Sequence, residues 1–230
     1  MKHFTTYTFF IFSISLLLSS FNLQSQSMQY LALGDSYTIG EAVPIEKNWP
    51  NILVSQLQEK GFNIQQPKII AVTGWRTDEL IDSIQKQEKE LETHYDLVSL
   101  LIGVNNQYQN KPIRQYKKEF EILLKKGLSK SKYGAKGMFV VSIPDYGVSD
   151  FAKKKELKNV AKQVARYNTA AKKIAGKYEV PFYDITPVSK TTEGDKSMFA
   201  EDELHPSAKQ YQLWVNEFYE AVQQQVSKLP

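Results

Sequence analysis

Gln29-Tyr30-Leu31-Ala32-Leu33-Gly34-Asp35-Ser36 is a short apolar run that stops abruptly at a glycine, an aspartate and a serine. A run that is apolar at consecutive positions, rather than at every second one, reads as a strand covered on both faces. Such strands belong to parallel sheets with helices on either side. The same reading recurs downstream at Lys68–Val72, Asp96–Ile102, Gly137–Ile143 and Pro181–Asp184. Asp96–Ile102 is apolar almost throughout, and Pro144 closes the Gly137–Ile143 run.

Between these runs the apolar period lengthens to that of a helix. Trp49–Lys60 carries Trp49, Ile52, Leu53 and Leu57 at helical spacing and ends at Gly61. Thr77–Leu91 follows the second strand, and Pro112 suits the first turn of a helix running to about Ser131. Leu157–Tyr178 has the clearest period, with lysines mostly opposite the apolar face, and Pro206–Val226 closes the chain. Strands and helices in alternation predict one doubly wound α/β domain over residues 28–230. The expected sheet has about five parallel strands in the flavodoxin-like order 2-1-3-4-5. Such sheets bind ligands beyond the carboxyl ends of their strands. In that order the turns at Ser36, Gly74 and Asn105 meet around one point.

Composition sets the frame for this domain. The 230 residues are 42% hydrophobic and 23% charged, enough for a sizeable core. The net charge of +4 is modest. Apart from Lys153-Lys154-Lys155 the lysines are scattered along the sequence, and no basic block marks a nucleic-acid partner. Lys2, Asp35 and no other Asp, Glu, Lys or Arg precede Glu41, and Phe9–Leu18 is a mostly apolar run followed by Ser, Asn and Gln. That layout is a secretory signal over residues 1–27, with Ser25 and Ser27 suited to cleavage before Met28. The alternative is an uncleaved anchor. After cleavage no membrane span is expected, and the mature chain is expected in a periplasm or outside the cell. The absence of cysteine excludes a lipid-anchored lipoprotein, disulfides and thiolate metal sites.

The chemistry rests on a few polar residues. A serine becomes a nucleophile when a base takes its proton and an acid orients the base. Ser36 stands where the first strand ends. Of the two histidines beyond the leader, His94 falls before the third strand, at the amino end of the sheet. His205 is therefore the candidate base. Asp202, three residues before it, reaches the ring better than the adjacent Glu203. The oxyanion needs donors: the Ser36 N–H, the Gly74 N–H and the Asn105 side-chain amide are candidates. Thr38 stands where a Gly-x-Ser-x-Gly elbow has its second glycine, so Gly34-Asp35-Ser36 is not that motif. Trp75, Arg76, Tyr108 and Tyr146 are candidates for the substrate pocket, and Thr186–Phe199 is a polar stretch able to serve as a flap beside His205. Two histidines on opposite sides of a sheet leave no metal site, and no cofactor is expected.

Gly34-Asp35-Ser36, Gly74, Gly103-x-Asn105 and Asp202-x-x-His205 together resemble the four signature blocks of the SGNH hydrolases, also called GDSL esterases and lipases. All four occur in order and span nearly the whole chain beyond the leader. Tyr37 stands where the name-giving motif has leucine, and Asn106 where many members carry aspartate. The resemblance implies a three-layer α/β/α fold and a metal-independent serine hydrolase with the residue roles given above. Short acyl or acetyl esters of small molecules are the expected substrates. Glycan acetyl esters, lysophospholipids and thioesters are alternatives. Activity is expected to rise with pH through the ordinary imidazole range, near about 6.5. A rival from another class is a flavodoxin-like module for a nucleotide or flavin, drawn from the glycine-flanked, hydroxyl-rich turn Gly34–Gly40. That turn lacks the spacing of a P-loop or a dinucleotide fingerprint.

Overall fold

The computed structural model describes residues 27–230; the expected leader lies, but for its last residue, outside them. In chain order the elements are β1 (Tyr30–Gly34), α1 (Ser36–Ile39), α2 (Trp49–Glu59), β2 (Lys68–Ala71), α3 (Thr77–Lys86), β3 (Leu97–Leu101), α4 (Val104–Tyr108) and α5 (Ile113–Lys130). There follow β4 (Met138–Val141), α6 (Asp150–Lys154), α7 (Val160–Lys177), β5 (Phe182–Tyr183), α8 (Thr186–Thr191) and α9 (Ala208–Ser227). All five strands are parallel, in the order β2-β1-β3-β4-β5.

Every residue of β1, β3 and β4 is buried, which is why these stretches are apolar without alternation. Neighbouring strand residues face opposite sides of the sheet. Phe139 of β4 therefore packs on one side, edge-on to Trp49 of α2 and tilted against Phe218 of α9. Met138 faces the other, against Gly127 of α5. Helices α2 and α9 pack together on the Phe139 side, and α3, α5 and α7 form the second helical layer. This is the expected three-layer α/β/α arrangement with a flavodoxin-like sheet.

The helix ends differ from the sequence reading in instructive ways. The helix starting at Thr77 stops at Lys86, and a separate turn of 3₁₀-helix over Glu88–Glu90 carries the chain to buried Leu91. Likewise α7 starts at Val160, because Asn159 takes a left-handed conformation (φ 62°). Leu157 packs on the same core, but its N–H closes onto Ala152 O after α6. Pro112 is the residue before α5 rather than in its first turn. The stretch Thr186–Phe199 is not a bare loop. It opens with α8, whose Thr186, Val188 and Ser189 are buried, and is pinned near its end by Ser207 N–H to Met198 O at 2.9 Å.

Register brings the strand ends level. Gly34 pairs with Ala71 of β2 and with Leu101 of β3, so the turns leaving β1, β2 and β3 emerge side by side. Gly34 is required by close approach. A Cβ there would lie 2.0 Å from the Thr38 hydroxyl oxygen and 2.6 Å from Leu101 O. Its bare backbone lets α1 fold back directly over the strand end.

Candidate active site

Ser36 is the first residue of α1, so its N–H is one of the donors a helix start leaves unpaired. Asp35 caps this turn: its Oδ1 accepts the Tyr37 N–H at 3.1 Å. Asp35 is fully buried, and its Oδ2 has no partner. Burial pushes the carboxyl up to about 7, against the pull of backbone N–H groups from Tyr37 and Gly103. The turn that carries Ser36 thus sits on a carboxyl that is easily protonated.

The second turn, Thr73-Gly74-Trp75, closes with Trp75 N–H on Val72 O at 3.2 Å. Gly74 has φ +86°, a left-handed conformation that glycine adopts freely, and its own N–H takes no part in that turn. The third turn supplies two adjacent asparagines that clamp it to the second. Asn105 Nδ2 donates to Trp75 O at 2.9 Å, which orients the amide and leaves its other N–H for the cleft. Asn106 is fully buried, accepting the Thr77 N–H at 3.0 Å and donating to the Thr77 hydroxyl at 2.7 Å. That hydroxyl in turn donates to Glu119 Oε2 at 2.5 Å. The amide satisfies an orphan N–H at the start of α3 and passes the chain of bonds on to α5.

His205 arrives from the far end of the chain on the turn before α9. Asp202 folds that turn around itself. Its Oδ1 accepts the N–H groups of Leu204 (3.0 Å) and His205 (2.9 Å), and its Oδ2 lies 2.5 Å from His205 Nδ1. Glu203, the first of the two residues between, takes φ +60° and turns its carboxylate outward to Lys154. Partial burial tends to raise the Asp202 carboxyl. The hydrogen bonds from the His205 ring and the two backbone N–H groups outweigh it and hold the carboxyl below its ordinary value. The ionised form is thus favoured. The outer loop is fixed by Ala200 N–H to His205 O at 2.8 Å. The imidazole meets the Tyr37 ring edge-on at 5.6 Å, and Tyr37 rests on Trp214 of α9 at 5.9 Å.

These parts share one cleft of about 180 Å³. Ser36, Gly74, Asn105 and His205 line it, with Tyr108 and Tyr146 on the wall. No hydrogen bond joins the Ser36 hydroxyl to the His205 ring among the described residues; such contacts commonly tighten when substrate binds. Trp75 and Arg76, expected in the pocket, are not among its lining residues. The Trp75 carbonyl holds Asn105 instead. The Arg76 guanidinium is engaged by Asp78 at 3.0 Å, by Glu79 at 3.3 Å and by the Gln109 side chain at 3.0 Å. Those hydrogen bonds and charges raise the Arg76 pKa still further. The signal was in the sequence, since Asp78 and Glu79 follow at helix-start spacing. Tyr37, Thr73, Val104, Phe151 and Leu204 also line the cleft and were not singled out from sequence. Phe151 comes from α6, whose lysine-rich sequence gives it one aromatic and little else to mark it. His94 is exposed, before β3, away from this end of the sheet. Among the described residues no cluster of His, Asp and Glu is fit to hold a metal ion, and no helix is long and apolar enough to cross a membrane.

Residues 32–213 match the model of the GDSL-like lipase/acylhydrolase family. Among solved structures, a lipolytic G-D-S-L protein from Veillonella parvula is 17% identical with a TM-score of 0.66, the match covering 84% of this chain and 97% of that one. A psychrotrophic esterase from Pseudoalteromonas is 16% identical with a TM-score of 0.65, covering 88% of this chain and all of that one. A catalytic mutant of an acetylxylan esterase from Geobacillus stearothermophilus is 15% identical with a TM-score of 0.64, covering 86% and 94%. At these identities the likeness is one of fold. No curated protein sequence matches the chain.

Proposed function

This chain belongs to the GDSL-like lipase/acylhydrolase family of ester-hydrolysing enzymes, and from that premise we propose that it cleaves small carboxylic esters through an acyl-serine. Ser36 Oγ attacks the ester carbonyl while His205 Nε2 takes its proton. Asp202 holds the ring through Nδ1 and stabilises the imidazolium. The oxyanion is received by the N–H groups of Ser36 and Gly74 and the free amide N–H of Asn105. His205 then returns the proton to the departing alcohol. Water attacks the acyl-serine with the same histidine as base.

The observation that carries this reading is the 2.5 Å pairing of Asp202 with His205, whose ring lines the same cleft as Ser36, Gly74 and Asn105. The cleft's small volume, about 180 Å³, favours acetyl and other short acyl groups. Tyr108, which lines it and is 45% exposed, offers a ring face at the rim. That favours a second reading, in which the ester is an acetyl group on a carbohydrate. Hydrolysis of p-nitrophenyl acetate, butyrate and octanoate by the wild type and Ser36→Ala tests the proposal. Activity should fall with acyl length and vanish in the variant. Full activity in Ser36→Ala would sink it.

Export belongs to the same proposal, supported by the apolar leader within residues 1–27. The mass of the protein recovered outside the cytoplasm should correspond to a chain starting at Met28. Recovery only of the full-length chain from the cytoplasm would rule it out.

A further inference from the structure

The lysines that look scattered in the sequence converge in the fold. Helices α5 and α7 carry eleven basic residues against two carboxylates, Glu119 and Glu121. Their net charge is +9, while the whole chain carries +4, so the remainder carries −5. The two helices lie side by side, and between them runs a groove of about 740 Å³. Lys117, Lys118 and Glu121 of α5 face Arg166, Lys173 and Lys177 of α7 across it, over a floor of Ala170 and Ile174. Glu121 is taken up by Lys177 at 2.7 Å and by the Tyr178 hydroxyl. Lys117, Lys118, Arg166 and Lys173 are exposed and have no carboxylate partner among the described residues. Four like charges around one concavity create a field that attracts a polyanion.

The groove adjoins a hollow whose wall is tied to the cleft by a hydrogen bond. This hollow of about 200 Å³ is lined by Gln107, Asn110, Lys111, Gln163 and Arg166, and so shares Arg166 with the groove. Gln107 ties the hollow to the cleft wall. Its carbonyl accepts the Tyr146 hydroxyl of the cleft at 2.7 Å, and its amide donates to Gln163 at 2.6 Å. From Arg166 to Lys177 the helix rises by about 16 Å, long enough to follow several units of a polymer.

We infer that this groove binds an acidic polysaccharide whose ester groups are presented to Ser36; the inference rests on the esterase reading and names its substrate class. The occupant follows from chemistry and shape. Nucleic acids carry no carboxylic esters, and the groove lining has no aromatic side chain on which bases would stack. A bilayer is flat, whereas this surface is concave, and among the described residues Ile122 is the one large apolar side chain exposed on either helix. A carboxylated glycan supplies negative charges for the lysines and hydroxyl esters for the cleft.

The test is binding of unesterified polygalacturonate to the wild-type chain, to Arg166→Glu/Lys173→Glu and to Lys117→Glu/Lys118→Glu, with thermal unfolding of each as the check on folding. All four positions are exposed, and the two variants alter opposite walls. The wild type should bind in a salt-sensitive way and ignore neutral xylan. Each variant should bind about tenfold or more weakly. Equal affinity in wild type and both variants overturns the inference. So does tighter binding to anionic phospholipid vesicles or to a single-stranded oligonucleotide of equal charge. Hydrolysis of p-nitrophenyl acetate is measured alongside. Polymer binding without ester hydrolysis defeats the catalytic reading and leaves the groove standing, and hydrolysis without polymer binding does the reverse.

Discussion

At the scale of single residues, the site depends on side chains whose own hydrogen bonds hold them in place. Asn105 is fixed through Trp75 O, so only one amide N–H is left for the oxyanion. Asn105→Ala should lower kcat by about 10²–10³ with little change in KM, as loss of one oxyanion donor does. An unchanged kcat would remove Asn105 from the hole. Asp35 makes a different prediction. Its folded carboxyl titrates near 7, above its unfolded value, so the folded state holds a proton that the unfolded state releases between about pH 4 and pH 7. Its contribution to stability therefore declines as pH rises through that window. Asp202, held low, acts in the opposite sense and only at more acid pH, so the two do not overlap. Asp35→Asn should flatten the wild type's loss of Tm between pH 5 and pH 8; parallel Tm profiles would contradict this. The convergence of Ser36, Gly74, Asn105 and His205 on one cleft was legible in the sequence because few serines, histidines or glycines stand at strand ends. Tyr37, Phe151 and Leu204 were not legible, because an apolar residue in a cleft wall looks the same as one in a core.

At the scale of elements, the strands were the easiest to read. Burial on both faces demands consecutive apolar residues, and no other local structure of that length does so here. The long helices were found by their period, but period alone overran their ends. Leu91 and Leu157 lie on the core and keep the pattern going, while the backbone has already left the helix. Helices α1, α4, α6 and α8 escaped notice, being only four to six residues long with too few turns to show a period. Helix α9 is the element whose packing counts most for the site, since it starts three residues after His205. Phe218 at its centre stacks on Tyr183 at 5.7 Å and meets Trp49 and Phe139, each at 5.9 Å. Phe218→Ala should cost about 3–5 kcal/mol in denaturant unfolding. A loss below about 1 kcal/mol would mean that α9 is not anchored through this cluster.

At the scale of the whole molecule, topology explains why residues so distant in sequence meet. Strand β1 lies between β2 and β3, so three turns converge beside Ser36, and the turn before α9 brings His205 to the same end. This much followed from strand order. The charge segregation did not, since lysines spaced for the outer faces of two helices show no cluster until α5 and α7 lie side by side. In the proposed function this convergence makes Ser36 a nucleophile activated by His205. Peptide mass mapping after reaction with a fluorophosphonate tests it most directly. One adduct is predicted, on the peptide containing Ser36, formed far more slowly in His205→Ala. An adduct on another residue, or equal labelling in His205→Ala, would contradict the account.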